Sequence, residues 1–300
     1  MKRLIVTADD FGAACEVNQA VETAHREGIL TAASLMVAGA AAADALERAR
    51  RMPRLRVGLH LVLAEGRPVL PASRVSRLVG ADGCFRSELP ALGATITFSR
   101  RARRQLADEI SAQFEAFVAT GLALDHCNAH MHFHLHPVIA RIMIAIGRRF
   151  GVPAMRVPQE PVSVLRKVEP RTPRASAWVT APFAALLKRR SRAAGLESPD
   201  RVFGLRWSGA MSLARLAGLI AHLPEGLTEV YLHPATGPYA GSAPGYRYRE
   251  ELDALIAPEV IRASRDPALR LGGFADFLGE ARGPVPVPTG ALLQRRESLR

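Results

Sequence analysis

Short runs of consecutive apolar residues alternate along this chain with stretches in which apolar positions recur at helical spacing. Leu4-Ile5-Val6-Thr7-Ala8 is a β-prone run that stops at Asp9-Asp10-Phe11-Gly12, and an amphipathic stretch over about 17–27 follows, giving strand, loop and helix. The pattern recurs. Ala33 to Val37 precedes an Ala-rich helix ending near Met52, and Leu55 to Leu61 is another strand. A Gly- and Pro-punctuated stretch, about 66–97, leads to a long helix predicted from near Ser99 to Thr120. An extended segment then starts at Leu122, Pro137 opens a helix that stops at Phe150-Gly151, and Pro153 to Val157 reads as a strand. Strands at 202–205, 229–233 and 269–271 and helices near 210–222 and 250–261 complete the series. Strand and helix in turn predict a parallel sheet. Seven or so such units predict an α/β protein with a β/α barrel of the TIM type, in complete, incomplete or distorted form.

With 300 residues, 48% of them apolar, the chain can form one large domain, predicted over 1–282, with a disordered tail at 283–300. An insertion is expected at about 158–192. It holds five prolines, then Trp178, Val179, Phe183, Leu186 and Leu187 beside the basic run Lys188 to Arg192. This segment reads either as surface-seeking or as a core helix whose basic end suits the helix dipole. The N-terminal apolar stretch is too short for a secretory signal, and no run approaches the roughly 18 apolar residues of a membrane span, so a cytoplasmic enzyme is expected. A formal net charge of +12 and a pI near 10.8 favour anionic partners: nucleic acid, phosphorylated substrates or an acidic membrane surface. No nucleic-acid recognition pattern accompanies the basic runs at 100–104 and 188–192, so no nucleic-acid partner is expected. A homo-oligomer stays open. Cys15, Cys84 and Cys127 are odd in number and lack CxxC pairing, which supports neither a disulfide framework nor a zinc knuckle.

The densest chemistry lies in Asp125-His126-Cys127-Asn128-Ala129-His130-Met131-His132-Phe133-His134-Leu135-His136, which holds five of the nine histidines. Read as one extended strand, it places His126, His130, His132, His134 and His136 on a single face, with an apolar face behind. Imidazole is the commonest neutral metal ligand, and a catalytic ion takes about three protein ligands, so some histidines of the row must serve otherwise and further ligands must come from elsewhere. In β/α barrels the site sits at the C-terminal strand ends. Asp9 and Asp10, His60, Arg156 and His233 all fall at such ends. Two imidazoles and a carboxylate suit zinc or another divalent ion that acidifies water; the second aspartate can take the water proton, an imidazole opposite can protonate a leaving group, and an arginine can hold the base ionised. The chemistry supported is hydrolysis.

Thr7-Ala8-Asp9-Asp10-Phe11-Gly12, Gly58-Leu59-His60-Leu61, His126 to His134 and Leu232-His233-Pro234-Ala235 together resemble, in order and spacing over about 1–275, the signatures of the YdjC-like carbohydrate deacetylases, which include the chitooligosaccharide deacetylase. The resemblance implies a β/α-barrel fold and metal-dependent removal of an N-acetyl group from an amino sugar. Position by position, it makes Asp10, His60 and His130 the ligands of one divalent ion, zinc or magnesium, with Asp9 the general base and His233 the acid. Arg156 matches an orienting arginine, and His132 and His134 line the substrate site. Where the chitooligosaccharide branch has Asp-Ser, this chain has Asn128-Ala129. That form looks more like the branch associated with hopanoid biosynthesis, which implies an N-acetylglucosaminyl lipid rather than a small saccharide. A peripheral position at the inner face of the cytoplasmic membrane would follow. Two rival readings are a phosphoesterase, which would use two ions about 3.5 to 4 Å apart, and a non-catalytic metal- or nucleic-acid-binding protein.

Overall fold

The computed structural model describes residues 1–173 and 176–278, with 176–179 and Leu278 as backbone alone. The expected tail at 283–300 and the Trp178 and Val179 side chains lie outside what is described. In chain order the elements are β1 (Lys2–Phe11), α1 (Cys15–Glu27), β2 (Ala32–Leu35), α2 (Ala42–Arg50), β3 (Arg56–Leu61), α3 (Leu89–Phe98), α4 (Arg100–Ala119) and β4 (Cys127–Ala129). A 3-10 segment (His130–Leu135) leads to α5 (Pro137–Arg149), α6 (Val162–Val168), α7 (Ser176–Ala193), β5 (Arg201–Phe203), α8 (Leu213–Ala221) and β6 (Gly226–Leu232). Last come α9 (Tyr248–Ile256), α10 (Pro258–Ser264), β7 (Leu269–Leu271) and α11 (Phe274–Leu278).

The strands form one curled sheet in the order β4-β3-β2-β1-β6-β5, with β7 alongside the start of β1. Every strand pair is parallel. β1 is central and buried from Leu4 to Phe11, which is why it opens on the consecutive apolar residues Leu4, Ile5 and Val6 rather than on an alternating pattern. Of the barrel forms expected, the incomplete one is found: the sheet is a half-barrel, not a complete TIM barrel. Residues 153–157 give no ladder. They give isolated bridges from Met155 to Cys127 and from Ala154 to Glu197. Pro153 and Pro158 flank this segment and lack the amide donors a ladder needs.

Register aligns the strand ends. Ala8 is level with Leu232, and His60 with Asn128, so the residues just beyond β1, β3, β4 and β6 converge at the C-terminal edge of the sheet. The loop after β3 is anchored from α4. Buried Gln113 bonds the Val62 amide (3.0 Å) and carbonyl (2.7 Å), and buried Glu109 accepts from the Val69 and Leu70 amides at 2.8 and 3.0 Å. Helix α3 was hidden in the stretch read as punctuation, because Pro90 sits in its first turn, where a missing amide hydrogen costs nothing. Ser99 then caps α4, its hydroxyl accepting from the Ala102 amide at 3.2 Å.

The segment expected as an insertion folds as α6 and α7. Ala184, Leu187 and Ser191 are buried, and Arg190 donates to the Pro137 carbonyl at 2.7 Å, as the core-helix reading requires; Phe183 stays exposed. Among the described residues no helix is long and apolar enough to cross a membrane. The three cysteines are free thiols.

Gly58, on β3, faces the His126 ring, and a Cβ there would lie 2.5 Å from its Nδ1 and Cε1. The ring cannot yield, since it stacks on Phe274 at 4.3 Å and bonds Ser34 Oγ at 3.0 Å. Gly58→Ala is therefore expected to cost about 1–3 kcal/mol in urea unfolding, and wild-type stability would show that the two strands have room to separate.

Candidate active site

The site begins with a distortion at the end of β1. Consecutive strand residues point to opposite faces, yet Asp9 and Asp10 both reach the same buried cluster. Asp10 has φ 63°, and the pairing of β1 with β2 slips between Ala8 and Phe11, a bulge that re-aims one side chain. The Asn18 side chain holds the following turn, accepting from the Gly12 amide at 2.8 Å and donating to the Ala41 carbonyl at 2.9 Å.

Asp10 Oδ1 lies 3.2 Å from His60 Nε2 and 3.1 Å from His130 Nδ1, and the three ligand atoms all fall within 4.8 Å of one another. Ligand atoms each about 2.0–2.2 Å from one ion sit at comparable mutual distances, and one carboxylate with two imidazoles is a donor set for a divalent metal. Among the described residues, no other group of three such side chains comes this close. The Asn128 amide lies 2.6 Å from His60 Nδ1. With its oxygen turned to His60, Nδ1 carries the proton and Nε2 keeps a lone pair toward Asp10. With the amide reversed, its oxygen meets Ser34 Oγ at 2.9 Å and two Arg156 nitrogens at 3.1 and 3.2 Å, and the His60 proton moves to Nε2. The first arrangement is the one that would let His60 Nε2 ligate an ion beside Asp10.

Arg156 forms the floor. Fully buried, it grips Asp9 through Nη1–Oδ2 (2.5 Å) and Nη2–Oδ1 (3.0 Å), and Glu229 Oε1 through Nε (2.9 Å) and Nη2 (2.6 Å). Burial pushes the Asp9 carboxyl up, but the Arg156 guanidinium outweighs it and holds the group well below the usual carboxylate range. Asp10 behaves alike: burial opposes ionisation, and His130 and His60 more than reverse it. Burial works against a charged His130, yet Asp10 and Glu65 push its pKa up to about 10. With His130 neutral, as a ligand must be, three carboxylates (Asp9, Asp10, Glu229) and one guanidinium leave the cluster with a charge of −2, which a divalent cation would cancel. The residues thus fit a metal in donor type, spacing and charge.

The histidine row does not share one strand face. β4 stops at Ala129, and Met131 and His132 adopt left-handed φ of 56° and 50°, so the chain turns and the side chains fan out. His126 lies on the same sheet face but away from the triad, between Gly58, Ser34 Oγ and the Phe274 ring, with Asp125 on its Nδ1 at 3.0 Å. His130 joins Asp10. His132 Nε2 meets Tyr231 Oη at 2.7 Å, fully buried His134 donates from Nε2 to the Arg156 carbonyl at 3.0 Å, and His136 Nε2 meets Thr97 Oγ1 at 3.1 Å. Burial, with Arg156 close by, pushes the His134 pKa down to about 4 and that of His132 well below its ordinary value. His233 lies at the end of β6 between the Tyr231 and Tyr246 rings, at centroid distances of 5.7 and 5.2 Å.

Glu229, Tyr231 and Glu65 escaped the sequence reading, and Asn128 entered it as a mark of the branch rather than as a site residue. Their signal there is no more than a polar residue inside or just after a strand. A cleft of about 200 Å³ reaches Asp10 and His130 and is walled by Met36, Glu65, Arg67 and Tyr239. A larger cavity of about 610 Å³ lies apart from the cluster residues, between α6, α7 and Leu205.

Residues 3–266 match the family model described as YdjC-like protein. The chain belongs to the YdjC-like family. A human carbohydrate deacetylase is 32% identical over 324 aligned positions, covering 97% of this chain and 96% of that one. A carbohydrate deacetylase of Geobacillus stearothermophilus is 29% identical, covering 91% and 97%. Among solved structures, an Enterococcus faecalis V583 protein named for cellobiose-phosphate cleavage superposes with a TM-score of 0.74 at 23% identity, covering 92% of this chain and 98% of that one, which shows a shared fold.

Two outcomes are expected of this YdjC-like protein. Arg156→Met strands two buried carboxylates and should cost about 3–5 kcal/mol of stability, read by chemical unfolding. Asp10 and Glu65 hold a proton on His130 that it must shed to ligate, so divalent-ion binding at pH 7–8 should release about one proton; calorimetry in buffers of different ionisation enthalpy measures it, and no release would show that His130 is already neutral before the ion binds.

Proposed function

We propose that this protein is a metal-dependent N-deacetylase acting on an N-acetylglucosaminyl group, most specifically one carried on a hopanoid lipid. The observation that carries the reading is that one bulge in β1 brings Asp10 to His60 and His130 while the adjacent Asp9 is clamped by Arg156, with His233 just past the end of the neighbouring strand β6. The names of the curated relatives agree with removal of an acyl group from a carbohydrate.

Asp10, His60 and His130 would hold one divalent ion, zinc or magnesium. When bound there, such an ion supplies positive charge that polarises the acetamide carbonyl and acidifies water. Asp9 accepts the proton of the attacking water as its oxygen bonds to the carbonyl carbon. Arg156 keeps Asp9 ionised and aimed, which also makes it a weak base, suited to water that is already acidified. As the carbon–nitrogen bond breaks, His233 donates a proton to the departing amine, giving acetate and a free amino sugar. His132 and His134 support this arrangement from behind, through Tyr231 and the Arg156 carbonyl. A lipid substrate accords with the chain's +12 charge and a peripheral position at the inner face of the cytoplasmic membrane.

Mass spectrometry of N-acetylglucosaminyl hopanoid and of N-acetylated chitobiose, each incubated with enzyme and zinc or magnesium, tests the assignment. Loss of one acetyl group from the lipid alone is expected. Loss from chitobiose alone would make it a soluble-sugar deacetylase, and loss from neither would remove the deacetylase reading. Asp9→Asn should keep full metal content while lowering kcat by about 10²–10⁴; retained turnover would take the base role from Asp9.

A further inference from the structure

Glu65 follows β3 by four positions and has φ 63°, a left-handed conformation that a non-glycine residue adopts at a cost. The surrounding backbone enforces it. Gln113 fixes Val62, the Gly66 amide bonds the Ala64 carbonyl at 2.8 Å, and the Phe85 amide bonds the Gly66 carbonyl at 2.8 Å. The result is that the Glu65 carboxylate turns back over the cleft it shares with Asp10 and His130, where Oε2 stands 3.9 Å from His130 Nε2.

The two nitrogens of His130 have different neighbours. Nδ1 faces Asp10 Oδ1 at 3.1 Å, inside the ligand triad, and Nε2 faces Glu65. A neutral imidazole that ligates through Nδ1 must carry its proton on Nε2, and a carboxylate on that side selects this tautomer and raises the basicity of the ligating nitrogen. We propose that Glu65 is a positioning residue for the metal site: it takes a hydrogen bond from His130 Nε2 and so keeps the Nδ1 lone pair pointed at the ion. This assignment rests on the proposed metal triad. The carboxylate–imidazole pair would close from 3.9 Å to hydrogen-bond distance, a movement open to it because the Glu65 side chain is 45% exposed. Asn128 serves His60 from the other side of the site, its amide 2.6 Å from His60 Nδ1, so each ligating imidazole would have one oxygen partner of its own.

The test is the affinity of the full chain for zinc and cobalt, by competition with a chromophoric chelator, in wild type, Glu65→Ala and Glu65→Gln, with the visible spectrum of the cobalt form as a second readout. Glu65→Ala should bind about 10- to 100-fold more weakly. Glu65→Gln, whose carbonyl oxygen can still accept from Nε2, should recover most of that loss, and the cobalt spectrum should be the same in all three. Equal affinity in wild type and Glu65→Ala would overturn the proposal. Equal weakening in both variants with an altered spectrum would overturn it in favour of Glu65 as a direct ligand. Absence of binding by wild type would overturn the metal triad itself, and this assignment with it.

Discussion

The site depends on one buried guanidinium. Arg156 has no exposed surface and binds Asp9 and Glu229 together. A charge so buried is tolerated only when it is paired and hydrogen-bonded, and here every part of the pairing also serves geometry. Glu229 sits inside β6, where Thr7 of β1 donates to it at 2.9 Å, so the arginine is tied to the two central strands. The Arg156 carbonyl accepts a hydrogen bond from His134 Nε2, which fixes the turn after β4, and its guanidinium lies 4.4 Å from the centre of the Tyr231 ring. Removing it would leave no counter-charge for Asp9 and no floor for the site.

That pairing also separates the roles of two adjacent aspartates. Asp9 binds Arg156 through both of its oxygens, whereas Asp10, turned by the bulge, places one oxygen between two imidazoles at the cleft. A flat strand would have sent one of them to the far face of the sheet. Left-handed residues cluster around the site for the same reason: among the described residues, Asp10, Glu65, Met131 and His132 are the non-glycine residues with positive φ, and three of these four flank or belong to the triad and its cleft. Such conformations persist only where surrounding packing holds them, and Gln113, Asn18 and Phe85 supply that hold.

The incompleteness of the barrel bears on the open side of the site. Where a full barrel would continue beyond β4, this chain has isolated bridges and then α6 and α7, with the 610 Å³ cavity among them. Glu160 at that cavity accepts from the Gly204, Leu205 and Arg206 amides, which pins the loop after β5 without a strand pair. Burial pushes its pKa up to about 7 despite those three donors.

The sequence by itself determined the alternation of strand and helix, and with it the placement of Asp9, Asp10, His60, Arg156 and His233 at one edge of the sheet. Periodicity is local, and in a parallel β/α arrangement it is enough to send strand ends the same way. Tertiary structure alone decided which of these groups meet. Arg156 lies 147 residues from Asp9 and 73 from Glu229, and no period encodes that choice of partner. It also decided that the histidine row leaves the strand at Ala129, where two left-handed residues turn the chain and the bonds of His132 to Tyr231 and of His134 to the Arg156 carbonyl hold the turn. The half-barrel was equally out of reach of the pattern: 153–157 is apolar enough for a strand, and only the prolines at its ends and the absence of a continuous neighbour withhold the ladder.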